Sequence, residues 1–228
     1  MGLYAIGDLH LSLGTDKPMD VFGGRWENYV EKLRENFSGL GAEDVCVICG
    51  DTSWAMDLDA AEPDFRFLGG LPGEKIILKG NHDYFWSTVS KLKEKLSAWG
   101  ITNIAFLHNN CFFYGDIALC GTRGWFYEEE RGEAHDKKIM AREISRLETS
   151  LRAAGDREKF VFLHYPPKYG AYECAEVLEL LERYKVTLCC AGHIHGAGRR
   201  LAFEGEYRGT RHLLVSADHL DFAPKRIL

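Results

Sequence analysis

A chain of 228 residues, 46% of them hydrophobic, carries enough apolar material for a core that needs neither disulfides nor a structural metal, so any metal site in it is free to be functional. Its 28 Lys and Arg against 34 Asp and Glu leave a formal charge of −6, the wrong sign for clamping long stretches of nucleic acid backbone. Seven cysteines, an odd number in no secreted framework, and a start that runs from Met1 directly into Leu3-Tyr4-Ala5-Ile6 predict a cytoplasmic protein with no leader removed. No apolar run approaches the roughly 20 residues of a membrane span.

In chain order, a first strand is predicted at about residues 3–8. A helix face follows in Trp26, Tyr29, Leu33 and Phe37, spaced by three and four as packing on a sheet requires. Strands at 44–50 and 75–80 precede a second helix marked by Val89, Leu92, Leu96 and Trp99. Further strands fall at 103–107 and 111–121, the latter in two pieces about Gly115-Asp116. Met140, Ile144, Leu147 and Leu151 mark a third helix, residues 159–164 a strand, Glu173 to about Arg183 a fourth helix and 186–191 a strand. In the tail, 200–203 and 211–216 are expected to be extended and to close a sheet edge. Short apolar runs alternating with helical patterns, with no linker or repeat, predict one α/β domain over residues 1–228.

The polar residues gather at the strand ends. Gly7-Asp8-Leu9-His10, Gly50-Asp51, Gly80-Asn81-His82-Asp83, His164-Tyr165-Pro166-Pro167 and Gly192-His193-Ile194-His195 each punctuate a predicted strand, and ligand sites of open α/β sheets lie beyond those carboxyl ends. A single Asp after a strand is most often a turn or a cap, and a single buried His most often a hydrogen-bonded core residue. The joint occurrence carries the inference: Asp8, His10, Asp51, Asn81, His164, His193 and His195 offer imidazole, carboxylate and amide donors at five strand ends, with His82 beside them. Such a set suits two metal ions with one carboxylate between them. The donors fit Mn, Fe or Zn rather than an all-oxygen Mg or Ca cage.

These ordered words resemble the signature of the calcineurin-like metallophosphoesterases, over residues 8–195. The resemblance implies an α/β (α+β) four-layer sandwich, two mixed sheets flanked by helices. It also implies a dinuclear centre, with Asp8, His10 and His195 on one divalent or trivalent ion, Asn81, His164 and His193 on the other, and Asp51 bridging. His82 would act near the leaving group with Asp83 orienting it, while a hydroxide bridging the metals attacks phosphorus in line. The expected substrate is a small phosphomonoester or phosphodiester. One departure stands out: where the family's second word usually continues Gly-Asp-x-x-Asp or Asn, this chain has Gly50-Asp51-Thr52-Ser53-Trp54. Asp83, in place of a Glu, is similar to the phosphodiesterase and small-molecule branches rather than the serine/threonine phosphatases.

Trp54, Tyr84, Phe85, Trp86 and Trp125-Phe126-Tyr127 put aromatics near the site, where they pack the loops or form a stacking wall. Arg123 would place a guanidinium fork on a substrate phosphate, or pair with a carboxylate. Glu128-Glu129-Glu130 is read as a solvated loop or helix start. Cys46 and Cys49 fall on opposite faces of a strand and are expected to be core thiols rather than a redox pair. No P-loop, dinucleotide fingerprint or nucleophile elbow is present. Two alternatives remain: a protein-binding scaffold on the same fold, and a nuclease acting on short nucleic acid ends. Extended nucleic acid and membranes are not expected partners.

Overall fold

The computed structural model describes residues 1–126 and 133–228. Tyr127 and Glu128-Glu129-Glu130, named above as a site aromatic and a solvated loop, lie outside the described residues. One sheet is built from β1 (Leu3–Ile6), β2 (Val45–Ile48), β3 (Glu74–Ile77) and β4 (Ile104–Phe106), parallel and in that order, with β13 (Lys225–Arg226) antiparallel on the β1 edge. The other contains β5 (Cys111–Tyr114), β6 (Ile117–Thr122), β7 (Glu158–Leu163), β10 (Leu188–Ala191), β11 (Gly205–Tyr207) and β12 (Thr210–Leu214) in the order β11-β12-β10-β7-β6-β5. Its four inner strands are parallel and its two edge strands antiparallel. Between β7 and β10 in the chain, β8 (Lys168–Tyr169) and β9 (Tyr172–Glu173) pair as a short separate hairpin.

Alternation along the strands makes the layers. Leu3, Ala5, Val47, Cys49 and Ile76 of the first sheet pack against Leu119, Phe160, Phe162, Leu188 and Cys190 of the second. The opposite face of the first sheet, including Ile6, Cys46 and Ile48, is covered by α1 (Tyr29–Phe37), α2 (Glu62–Gly70) and α3 (Val89–Ala98). The outer face of the second, including Cys120, Val161 and Cys189, is covered by α4 (Glu133–Ala153) and α5 (Ala175–Arg183). The result is the helix-sheet-sheet-helix sandwich expected from the motifs. Cys46 and Cys49 point to opposite faces and all seven cysteines are free. No helix among the described residues is long and apolar enough to cross a membrane.

The structure corrects two boundaries and adds a helix. α1 begins at Tyr29, not Trp26, because Asn28 is left-handed (φ 55°) and Trp26 ends a separate 3-10 turn. Residues 196–201 form a 3-10 turn that takes in the start of the first expected tail segment, with Ala202 extended after it, and the tail supplies strands to both sheets. α2 has no counterpart among the expected elements; its Pro63 sits in the first turn, where the missing N–H costs nothing, and Gly69-Gly70 fall in the last.

α2 matters to the site because Asp64, fully buried, accepts a hydrogen bond from the Leu13 N–H at 2.8 Å and another from the Ser53 hydroxyl. It thereby ties together the loops after β1 and β2. Burial pushes its carboxyl up to about 6, although both donors pull the other way. The folded chain therefore holds a proton between about pH 4 and 6 that the unfolded chain releases; this stability is complete below about pH 4 and is lost as pH rises through 6. The difference corresponds to roughly 3 kcal/mol. Asp64→Asn, which keeps an acceptor for Leu13, should exceed wild type in urea-unfolding stability by about 2 kcal/mol near pH 7.5 and by under about 1 kcal/mol near pH 4. A difference independent of pH contradicts the assignment.

Candidate metal centre

Asp8 and His10 follow β1, Asp51 follows β2, Asn81 and His82 follow β3, His164 follows β7, and His193 and His195 follow β10. All lie beyond the carboxyl ends of parallel strands, where the two sheets join. There the Gly7 N–H donates to the Val215 carbonyl at 2.7 Å and the Ala217 N–H to the Gly7 carbonyl at 2.9 Å. The loops after β1 and β2 run side by side, with the His10 N–H on the Asp51 carbonyl at 2.9 Å and the Leu11 N–H on that of Thr52 at 3.0 Å.

Four residues of this cluster carry strained backbone. Asp8, His10, Asp51 and His193 adopt φ of 58°, 46°, 50° and 70°, a region costing a non-glycine residue about 1–2 kcal/mol. Surrounding hydrogen bonds over-determine it. Both oxygens of Asp8 accept the His193 N–H, at 3.0 and 2.8 Å, and Asp51 Oδ1 accepts the His82 N–H at 2.8 Å. Glycine is required where the backbone closes on these carboxylates: a Cβ on Gly80 would lie 2.1 Å from Asp51 Oδ1, and one on Gly192 2.5 Å from Asp8 Oδ2.

The side-chain geometry has the signature of missing positive charge. His164 Nδ1 donates to the Cys49 carbonyl at 3.0 Å, which leaves Nε2 as a bare lone pair. That nitrogen faces the Asn81 side-chain oxygen at 2.6 Å, His193 Nδ1 at 3.2 Å and Asp51 Oδ2 at 3.5 Å. In the neighbouring group, His195 Nδ1 donates to Asp218 at 3.4 Å, and its Nε2 faces His10 Nε2 at 3.1 Å and Asp8 Oδ1 at 3.4 Å. Asp51 Oδ2 is buried without a hydrogen-bond partner among the described residues and stands 3.7 Å from His10 Nε2 as well. Lone pairs converging in a buried space repel unless a cation lies between them. Asp8, His10 and His195 form one group able to hold a metal ion, and Asp51, His164 and His193 another, each with its donor atoms within 4.8 Å of one another.

The electrostatics agree. Burial, then the charge of Asp8, lifts the Asp51 carboxyl above the ordinary carboxylate range. Burial also works against charge on His195, but Asp8 and Asp218 outweigh it and push that imidazole up to about 10. Burial, reinforced by the His164 ring, drops His193 to about 3. Positive charge is thus demanded here and carried by one ring.

His82 sits on the rim, its ring 5.7 Å from that of His10 and its Nδ1 3.2 Å from the Tyr84 hydroxyl. Asp83 does not orient this ring. Its carboxylate accepts the backbone N–H groups of Asp51, Thr52, Ser53 and Gly80 at 2.7–3.3 Å and so fixes the loop carrying Asp51. Trp54 stacks on His10 at 4.7 Å and lies 4.5 Å from His82, a wall of the site; Phe85 and Trp86 are buried loop packing. Of the two environments expected for Arg123, the structure shows the carboxylate. Its Nη2 lies 3.7 Å from Glu143, and its guanidinium stacks on Trp125 while its carbonyl accepts the His164 N–H at 3.0 Å.

Asp218 is the residue that the sequence reading omitted. It follows β12, a parallel strand, and accepts from both His195 Nδ1 and the Gly196 N–H. The strand-end rule would have found it had the tail been read as an inner strand instead of an edge.

Comparison with known proteins gives the same picture. Residues 1–197 match the family described as calcineurin-like phosphoesterase. Human tartrate-resistant acid phosphatase type 5 is 24% identical over 217 residues, 87% of this chain. An uncharacterized metallophosphoesterase of Helicobacter pylori (strain ATCC 700392 / 26695) is 26% identical over 124 residues, 54% of the chain. The matches span 63% and 28% of the length of these two relatives. Among solved structures, the phosphopantetheinyl hydrolase of Mycobacterium tuberculosis superposes with a TM-score of 0.60 at 14% identity, over 100% of this chain and 95% of that one. A protein of Thermus thermophilus reaches 0.59 at 15% identity, over 93% and 87%; at such identities the likeness shows the fold. With its two-sheet sandwich, its strand-end donors and a family match across most of its length, the chain belongs to the calcineurin-like phosphoesterases.

Proposed function

We propose that the protein is a dinuclear metal-dependent hydrolase of small phosphomonoesters or phosphodiesters. The observation that carries this is Asp51 Oδ2, a buried and unpartnered carboxylate oxygen 3.7 Å from His10 Nε2 and 3.5 Å from His164 Nε2. In this reading Asp8, His10 and His195 hold one ion, Asn81, His164 and His193 the other, and Asp51 both. The donor set suits Mn, Fe or Zn. Two such cations, when bound, would supply a nucleophile at neutral pH and offset charge on the phosphoryl oxygens.

The protein's own residues do the rest. Cys49 and Asp218 fix the tautomers of His164 and His195, and Asp83 holds the Asp51 loop by three backbone N–H groups and its own loop by that of Gly80. His82, outside both donor groups, donates a proton or a hydrogen bond to the departing oxygen. Trp54 excludes water from one side of His10. The names of the human phosphatase and the mycobacterial hydrolase accord with a small phosphoester as substrate, and the net charge with the absence of extended nucleic acid.

The test pairs metal analysis by mass spectrometry, on protein purified without chelator, with hydrolysis of p-nitrophenyl phosphate and bis-p-nitrophenyl phosphate in added Mn. Near two metals per chain and turnover of either ester are expected, and the ratio of the two rates separates monoester from diester preference. Fewer than one metal and no turnover after reconstitution would instead favour a scaffold that binds proteins.

A further inference from the structure

Next to the metal centre lies a second cavity, of about 250 Å³, between the ends of β3 and β6 and the helix α4. Lys79, Arg123, Arg142 and Arg146 line it, against the single carboxylate of Glu143. That carboxylate is already engaged: the Thr122 hydroxyl donates to it at 2.6 Å and Arg146 at 2.7 Å, with Arg123 at 3.7 Å. Lys79 and Arg142 make no ion pair among the described residues.

A cavity with four cations and one satisfied carboxylate is short of acceptors and of negative charge, in a chain whose net charge is −6. A tetrahedral phosphate supplies both, and guanidinium groups recognise it through paired N–H donors. The cavity is joined to the metal centre through the backbone. Lys79 precedes Asn81 by two residues, and the Arg123 carbonyl accepts the N–H groups of His164 and Tyr165 at 3.0 and 2.9 Å.

We propose that this cavity is a second anion subsite, which holds a non-reacting phosphate while another phosphate of the same small molecule is cleaved at the metal centre. The preferred substrate is therefore a bisphosphorylated compound of low molecular weight. This rests on the phosphoesterase reading above and adds the substrate class.

The experiment compares butyl phosphate with α,ω-alkanediol bisphosphates of two to six carbons on metal-loaded protein at fixed ionic strength. The best bisphosphate should have a KM at least about tenfold below that of butyl phosphate, as expected for even one charge-assisted contact. Arg142→Ala, at an exposed position with no ion pair among the described residues, and Ser87→Glu, which sets a negative charge on the exposed rim, should each reduce that advantage to about twofold or less. Equal KM values for the two substrate types, or an advantage that survives both substitutions, overturns the subsite while leaving the phosphoesterase reading intact. If no ester is turned over, that reading has failed, and the cavity is read by equilibrium dialysis of radiolabelled inorganic phosphate against the full chain. One more phosphate bound by wild type than by Arg142→Ala supports the subsite; equal stoichiometry, or an extra phosphate displaced equally well by chloride and so an adventitious ion only, overturns it.

Discussion

Asp51→Ala is expected to lower the metal content from near two ions per chain to below one and the turnover by at least about a thousandfold, in the upper part of the range metal chemistry contributes. The expectation follows from position. Asp51 Oδ2 faces imidazole nitrogens of both donor groups, at 3.7 and 3.5 Å, and has no hydrogen-bond partner among the described residues. Asp51 Oδ1 is occupied by the His82 N–H at 2.8 Å, so the two oxygens divide between scaffold and site. Asp51→Asn separates them, since an amide keeps an acceptor for His82 and loses the charge; its metal content should fall as far as that of the alanine variant. Stability should move in opposite directions with and without metal. A carboxylate that is 1% exposed beside the fully buried Asp8 costs free energy when no cation answers it. In chelator, Asp51→Asn should therefore melt above wild type, whereas in saturating metal wild type should melt higher because ligand bound only to the folded state adds stability. Two equivalents of metal still bound to both variants would show that Asp51 does not join the ions.

The donor residues were legible in the sequence because each ends a strand, and a strand end is marked locally by a switch from apolar residues to Gly, Asp, Asn or His. Asp8, Asp51, His164 and His193 come from loops far apart in the chain yet converge, since parallel strands deliver all their carboxyl ends to one side. What was not legible depends on contacts that have no local mark. Asp83 is adjacent to His82 in sequence, which suggested that it orients that ring, but at 0% exposure its oxygens must satisfy nearby donors, and those are backbone N–H groups of the Asp51 loop. Trp54 took the place of a polar residue without local explanation. In the fold it lies flat on His10, so an imidazole plane is fixed by stacking at a place where the family's usual residue is polar. α2 was hidden by its proline and glycines, and the basic cavity by the wide sequence separation of Lys79, Arg123 and Arg142, which no single segment reveals.

His82→Ala should leave both metals in place and still lower kcat on alkyl phosphates by about 10² to 10⁴, the usual worth of a positioned proton donor. Metal retention is expected because His82 belongs to neither donor group, and because its backbone N–H, the atom that supports Asp51 at 2.8 Å, survives the substitution. The loss should depend on the leaving group. A p-nitrophenolate departs with little need of a proton, so its rate should fall much less than that of a butoxide, and the dependence of log kcat on leaving-group pKa should steepen in the variant. Tyr84 provides the finer test, since its hydroxyl holds His82 Nδ1 at 3.2 Å and so sets which nitrogen is free to act. Tyr84→Phe should therefore reproduce a weaker form of the same leaving-group bias. An alkyl phosphate rate unchanged in His82→Ala would remove His82 from the chemistry, and an equal loss on all leaving groups would make it a residue that positions the substrate.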